Sequence, residues 1–103
     1  MPIRVVDPGK PAFQLRKGEE GISVFEEQTV APPLTEEEIL ACFRTGSQLV
    51  SRTREEIEAK GLVIVPIRGA DPLPERLRTA HAEIRPGPGM TRAQFKQALT
   101  ELE

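Results

Sequence analysis

The chain has 103 residues, of which 38% are hydrophobic and 4% aromatic, with neither Trp nor Tyr. That length makes one domain, and folding removes roughly 60–70% of the unfolded surface from water, enough for an aliphatic core whose large members are Phe13, Phe25, Phe43 and Phe95. A net charge of −2 argues against non-specific nucleic-acid binding, no run reaches the roughly 20 apolar residues of a membrane helix, and the N-terminal residues lack the apolar stretch of a signal peptide.

Residues 1–11, with Pro2, Pro8, Gly9 and Pro11, read as an extended lead-in to a single domain 1–103, with a short edge strand at 3–6. Residues 12–16 alternate apolar with polar, so Phe13 and Leu15 face inward from a half-buried strand. The glycine-bracketed turn 17–21 then delivers a second strand at 22–25, and the two are expected to form a hairpin. An acidic loop ending in Pro32-Pro33 leads to the first helix. There Thr35 and Glu38 have the spacing of a capping box, and Leu34 and Ile39 that of a hydrophobic staple. Ile39, Leu40 and Phe43 form its apolar stripe, and Gly46 ends it. Cys42, the single cysteine, is read as a small core residue, and a chain without a second thiol fits a reducing, cytoplasmic setting.

The same grammar recurs downstream. Residues 48–51 read as a strand, Thr53 and Glu56 as a second capping box, and Gly61 as a left-handed helix end. Leu62-Val63-Ile64-Val65 is a continuous apolar run, the mark of a strand buried on both faces, and Pro66 ends its pairing. Residues 74–79 form one or two helical turns carrying Leu77 inward. The last helix opens at Thr91 and Gln94, with Met90 and Phe95 as staple, and shows Phe95, Ala98, Leu99 and Leu102 at helical spacing. The expected architecture is α+β: a small mixed β-sheet with a central strand near 62–66, flanked by three or four short capped helices.

Polar chemistry concentrates in residues 81–92. In a strand over 81–85, Ala82 and Ile84 point one way, and His81, Glu83 and Arg85 the other. Neutral imidazole beside a carboxylate is suited to acid–base work near neutral pH, so His81 and Glu83 are the catalytic pair if the protein is an enzyme. The stiff turn Pro86-Gly87-Pro88-Gly89 feeds the helix start at Thr91, where free N–H groups favour an anion. Gly87 and Gly89 allow close approach, and Arg85 and Arg92 offer forked donors. The charge distribution agrees: Arg76, Arg78, Arg85 and Arg92 gather in a segment whose one acid is Glu83, while residues 17–38 carry many acids against Lys17 alone. One histidine and one cysteine exclude a zinc site of ordinary composition, no cofactor motif is present, and Ser23, Ser47 and Ser51 lack a G-x-S-x-G elbow.

Phe13-Gln14-Leu15-Arg16 with Glu20-Gly21-Ile22-Ser23-Val24-Phe25, then Gly61-Leu62-Val63-Ile64-Val65-Pro66 and His81-Ala82-Glu83-Ile84, resemble a pattern of a small uncharacterised bacterial protein family. The order Arg16, Ser23, Glu83 also resembles the ADP-ribosyltransferase fold, in which an arginine or histidine, a serine and a glutamate on three strands cradle NAD. That resemblance implies those three residues as a nucleotide site. The leading expectation is a non-enzymatic interaction or regulatory module of a bacterial cytoplasmic complex, with a partner protein on the polar strand face and the arginine-rich turn. The alternative is a nucleotide- or NAD-binding enzyme, ADP-ribosyltransferase-like and toxin-related, holding an anionic small molecule.

Overall fold

Three stretches place an apolar residue at every second position, Ile3 and Val5, Ile22 and Val24, Ala82 and Ile84, and all six side chains are buried. They lie on one face of a single sheet, because the register sets Val5 against Val24, Val24 against Ala82 and Ile22 against Ile84. The computed structural model describes residues 2–7, 13–15, 18–43, 46–67 and 73–103. Among these the strands are β1 (Pro2–Asp7), β2 (Ile22–Glu26), β3 (Gln48–Thr53), β4 (Val63–Pro66) and β5 (His81–Arg85). The helices are α1 (Glu36–Leu40), α2 (Arg54–Glu58), α3 (Glu75–Ala80) and α4 (Arg92–Thr100). The fold is α+β.

The sheet order is β3-β1-β2-β5-β4, and every neighbouring pair is antiparallel. The sheet is therefore not mixed, and the 62–66 run is not its centre. β2 holds the middle and β4 an edge. A short apolar run has the same appearance whether it is enclosed by strands or merely half-covered by side chains, and Val63, Ile64 and Val65 are half-buried. Pro66 does not end the pairing either, since it still stands opposite Ala82.

The expected 12–16 hairpin arm is absent in its described part: residues 13–15 are turn and coil, and β1 takes the place beside β2. Phe13 and Leu15 are buried and Gln14 exposed, so the alternation holds without a ladder. β1, expected at the edge, lies between β3 and β2.

Two apolar clusters lie on the two faces of the sheet. The larger gathers Ile3, Val5, Ile22, Val24, Ala82 and Ile84 under Ile57 of α2 and Phe95, Ala98 and Leu99 of α4. The smaller gathers Phe25 with Leu34, Ile39 of α1, and Leu77 and Ala80 of α3. Each fully buried aliphatic side chain contributes about 1.5–3 kcal/mol.

Capping follows the sequence closely. Thr53 and Glu56 form the reciprocal box at α2, Thr91 and Gln94 the one at α4, and Gly61 has φ +81. At α1 the Thr35 side chain accepts from the Glu38 N–H, while the Glu38 carboxylate takes Arg76 Nε at 2.6 Å. That ion pair joins α1 to α3 and holds the Glu38 carboxyl below its ordinary pKa, the Arg76 hydrogen bond being the largest cause. α1 stops at Leu40, so two inward assignments fail. Cys42 is exposed, and Phe43 is 37% exposed with its ring edge-on to Phe25.

Candidate functional site

β5 positions the residues on which the sequence concentrates polar chemistry. Its alternation is as expected for Ala82 and Ile84, which enter the larger cluster. The other side divides. His81 is only 6% exposed, because α1 and α3 cover this end of the face. Register sets it opposite Phe25, with ring centroids 5.5 Å apart. Its Nδ1 lies 2.9 Å from the Ile67 carbonyl oxygen. The ring is thus built into the wall of the smaller cluster.

Glu83 and Arg85 lie beyond the reach of those helices. Their side chains keep 24% and 37% of their exposure, and the Glu83 Oε1 oxygen accepts from Arg85 Nε at 2.9 Å and Nη2 at 2.8 Å. Ser23 stands across the strand from Glu83 and is exposed, and Val65 is its neighbour on the other side. Ser23, Glu83 and Arg85 therefore share one corner of the sheet with Val63 and Val65, half-buried apart from the exposed Ser23 and outside the smaller cluster, and His81 does not belong to it. The alternation that grouped the three polar residues describes direction, not what covers the face. Arg16, the remaining member of the set, lies outside the described residues.

The turn after β5 is spent on packing. A methyl group on Gly87 would overlap the Gly61 carbonyl oxygen, so the close approach that this glycine permits is to another backbone. Gly89 takes φ +76 to bring the chain into α4. At the helix start the Thr91 hydroxyl accepts from the Gln94 N–H at 3.1 Å, and the Thr91 N–H donates to Gln94 Oε1 at 2.8 Å. The hydroxyl of Thr91 and two of the N–H groups that the sequence offers to an anion thus serve the cap. Arg92 Nη1 donates to the Glu19 carbonyl at 2.7 Å, fastening the 18–21 turn to α4. Arg85 and Arg92 both line a hollow of about 320 Å³, together with Glu20, Pro86 and Phe95.

Sequence reasoning missed Arg52, which decides the character of one sheet edge. Its Nε donates to the Leu102 carbonyl and its Nη1 to the Ser51 carbonyl, both at 2.7 Å, and its guanidinium lies over the Phe13 ring. Because Gln48-Leu49-Val50-Ser51 shows no alternation, Arg52 after it gave no periodic signal. Among the described residues no three His, Cys, Asp or Glu side chains gather to hold a metal ion, and no helix is long and apolar enough to cross a membrane. Comparison with known proteins brings no match to a family model, a curated protein or a solved structure.

Proposed function

We propose that the protein is a non-enzymatic interaction module of a bacterial cytoplasmic complex, and that its contact surface is the β4 edge with the adjoining corner at Ser23, Glu83 and Arg85. One observation carries this reading. β4 ends the sheet with Val63, Ile64 and Val65 half-buried and uncharged, whereas the other terminal strand, β3, is guarded by Arg52. Free strand edges are templates for another strand, and proteins that do not use them blunt them with charge. The cellular setting rests on the sequence resemblance and on the lone, exposed Cys42.

The second reading, an enzyme or binder of a nucleotide-like anion, draws support from the hollow shared by Arg85 and Arg92. Glu20 on the same wall and the engagement of Arg85 with Glu83 weigh against it. Its acid–base pair is also separated, since His81 is enclosed with Phe25.

A photo-reactive residue at position 65 tests the first reading, with Arg92→Ala as a comparison. A discrete cross-linked species that survives Arg92→Ala and disappears in Val63→Lys supports it. No cross-link above background, together with a thermal shift on adding phosphate or NAD that Arg92→Ala abolishes, replaces it by the second.

A further inference from the structure

The geometry points to a second copy of this chain as the partner of β4, joined antiparallel about a twofold axis through Ile64; the inference rests on the reading of β4 as the contact strand. The direction of the backbone groups supplies the first argument. The Ile67 N–H donates to the His81 carbonyl at 3.0 Å, which marks residues 67 and 81 as a hydrogen-bonded pair of the β4–β5 ladder. Bonded and non-bonded pairs alternate in an antiparallel ladder. Val65 with Glu83 and Val63 with Arg85 are then bonded pairs, and Ile64 with Ile84 and Pro66 with Ala82 lie between them. The backbone groups of Ile64 and Pro66 therefore face away from β5. Proline has no N–H to offer, so at this position it costs the existing ladder nothing and leaves the outer edge with the Ile64 N–H, the Ile64 carbonyl and the Pro66 carbonyl.

This set is complementary to itself. With the twofold at Ile64, its N–H donates to the carbonyl of the partner's Ile64, and the reverse bond forms by symmetry. The Pro66 carbonyl comes opposite the N–H of the partner's Leu62. Sliding the strands toward Pro66 sets the missing N–H against Ile64 and loses the central bonds, so the proline excludes that register.

Side chains agree with the same arrangement. Val63 falls opposite the partner's Val65, and Val65 opposite the partner's Val63, as non-bonded pairs about 4.5 Å apart at Cα, the spacing at which β-branched residues pack well. Charge agrees too. Each transverse row of the joined sheet runs from Glu83 through Val65 and the partner's Val63 to the partner's Arg85, so carboxylate and guanidinium rows end on opposite signs. A parallel pairing would set like on like. β3 offers no such surface, because the Ser51 carbonyl is taken by Arg52 and the Thr53 N–H by Glu56 Oε1 at 2.9 Å. A four-residue edge is small beside the interfaces of permanent dimers, so the association is concentration-dependent and isologous.

Sedimentation and light scattering on the full chain, from micromolar to millimolar, read the outcome. The mass is expected to rise from 11.4 kDa toward twice that value, and Val63→Lys and Val65→Lys are each expected to stay at the monomer mass with unchanged far-UV circular dichroism. In a Cys42→Ser background, Ile64→Cys is expected to give a disulfide-linked dimer under mild oxidation, because paired Cα atoms about 5.5 Å apart suit the bond; Ser51→Cys on β3 is expected to give none. The cysteine pair keeps the test decisive if a lysine variant fails to fold. A wild type that is monomeric throughout and an Ile64→Cys variant that links no faster than Ser51→Cys overturn self-pairing. If position 65 then cross-links to a different protein, the interaction module stands and the second copy is excluded.

Discussion

His81→Ala distinguishes a structural histidine from a catalytic one. The substitution removes the Nδ1 contact with the Ile67 carbonyl at 2.9 Å, about 1 kcal/mol for an ordinary hydrogen bond. It also empties the space beside Phe25, where the rings lie 5.5 Å apart, and truncating a buried ring of this size costs about 2 kcal/mol. The expected loss is about 3 kcal/mol, a large part of the stability of a domain this small, and it lowers Tm by roughly 12–24 °C. His81→Leu refills most of the volume and loses mainly the hydrogen bond, so its cost is about 1 kcal/mol. Glu83→Ala on the same strand costs about 1 kcal/mol, because its ion pair with Arg85 is only half-buried and still reached by water. With neither Trp nor Tyr in the chain, intrinsic fluorescence is a poor probe, and urea titrations followed by circular dichroism at the helix band measure all three variants. If His81→Ala unfolds at the wild-type urea concentration, or if Glu83→Ala costs as much as His81→Ala, the assignment of His81 to the smaller cluster is wrong.

The remaining expectations concern the loops and caps. Gly87→Ala forces the turn away from the Gly61 carbonyl; overpacking of this kind costs about 1–3 kcal/mol, and a thermal melt reads it. Thr91→Ala removes the α4 cap at about 1 kcal/mol, with the dimer mass unchanged in the sedimentation assay. Glu38 has its folded-state carboxyl held below the ordinary value of 4.5 by Arg76, so its unfolded form binds protons first as pH falls. Its stabilisation is complete above that value and is lost as pH drops through the lower folded one. Urea midpoints of wild type and Glu38→Gln therefore differ most near neutrality and converge below pH 4.5; a gap that widens on acidification contradicts the Arg76 pairing.

What the sequence reveals and what it hides follow from the range of the forces involved. Thr53 with Glu56, Thr91 with Gln94, and Gly61 act within one helical turn, and all three sites are as expected. Burial of Ala82 and Ile84 is equally local, being an alternation. Whether Val63–Val65 lies at the centre or edge depends on which strands pair, and that is decided by residues far apart in the chain. The same holds for His81. Its direction was legible, but its surroundings depend on Phe25 across the strand and on Leu77 and Ile39 above. At α1 the Glu38 carboxylate left its box for Arg76, a partner 38 positions away.

Val24 and Phe25 are successive residues of the middle strand, and they enter opposite clusters. One ribbon is thus the common wall of both helical layers, and moving it disturbs the two together. Neither layer can shift without moving the strand on which the other rests, so the two are expected to melt together, as a single transition in circular dichroism.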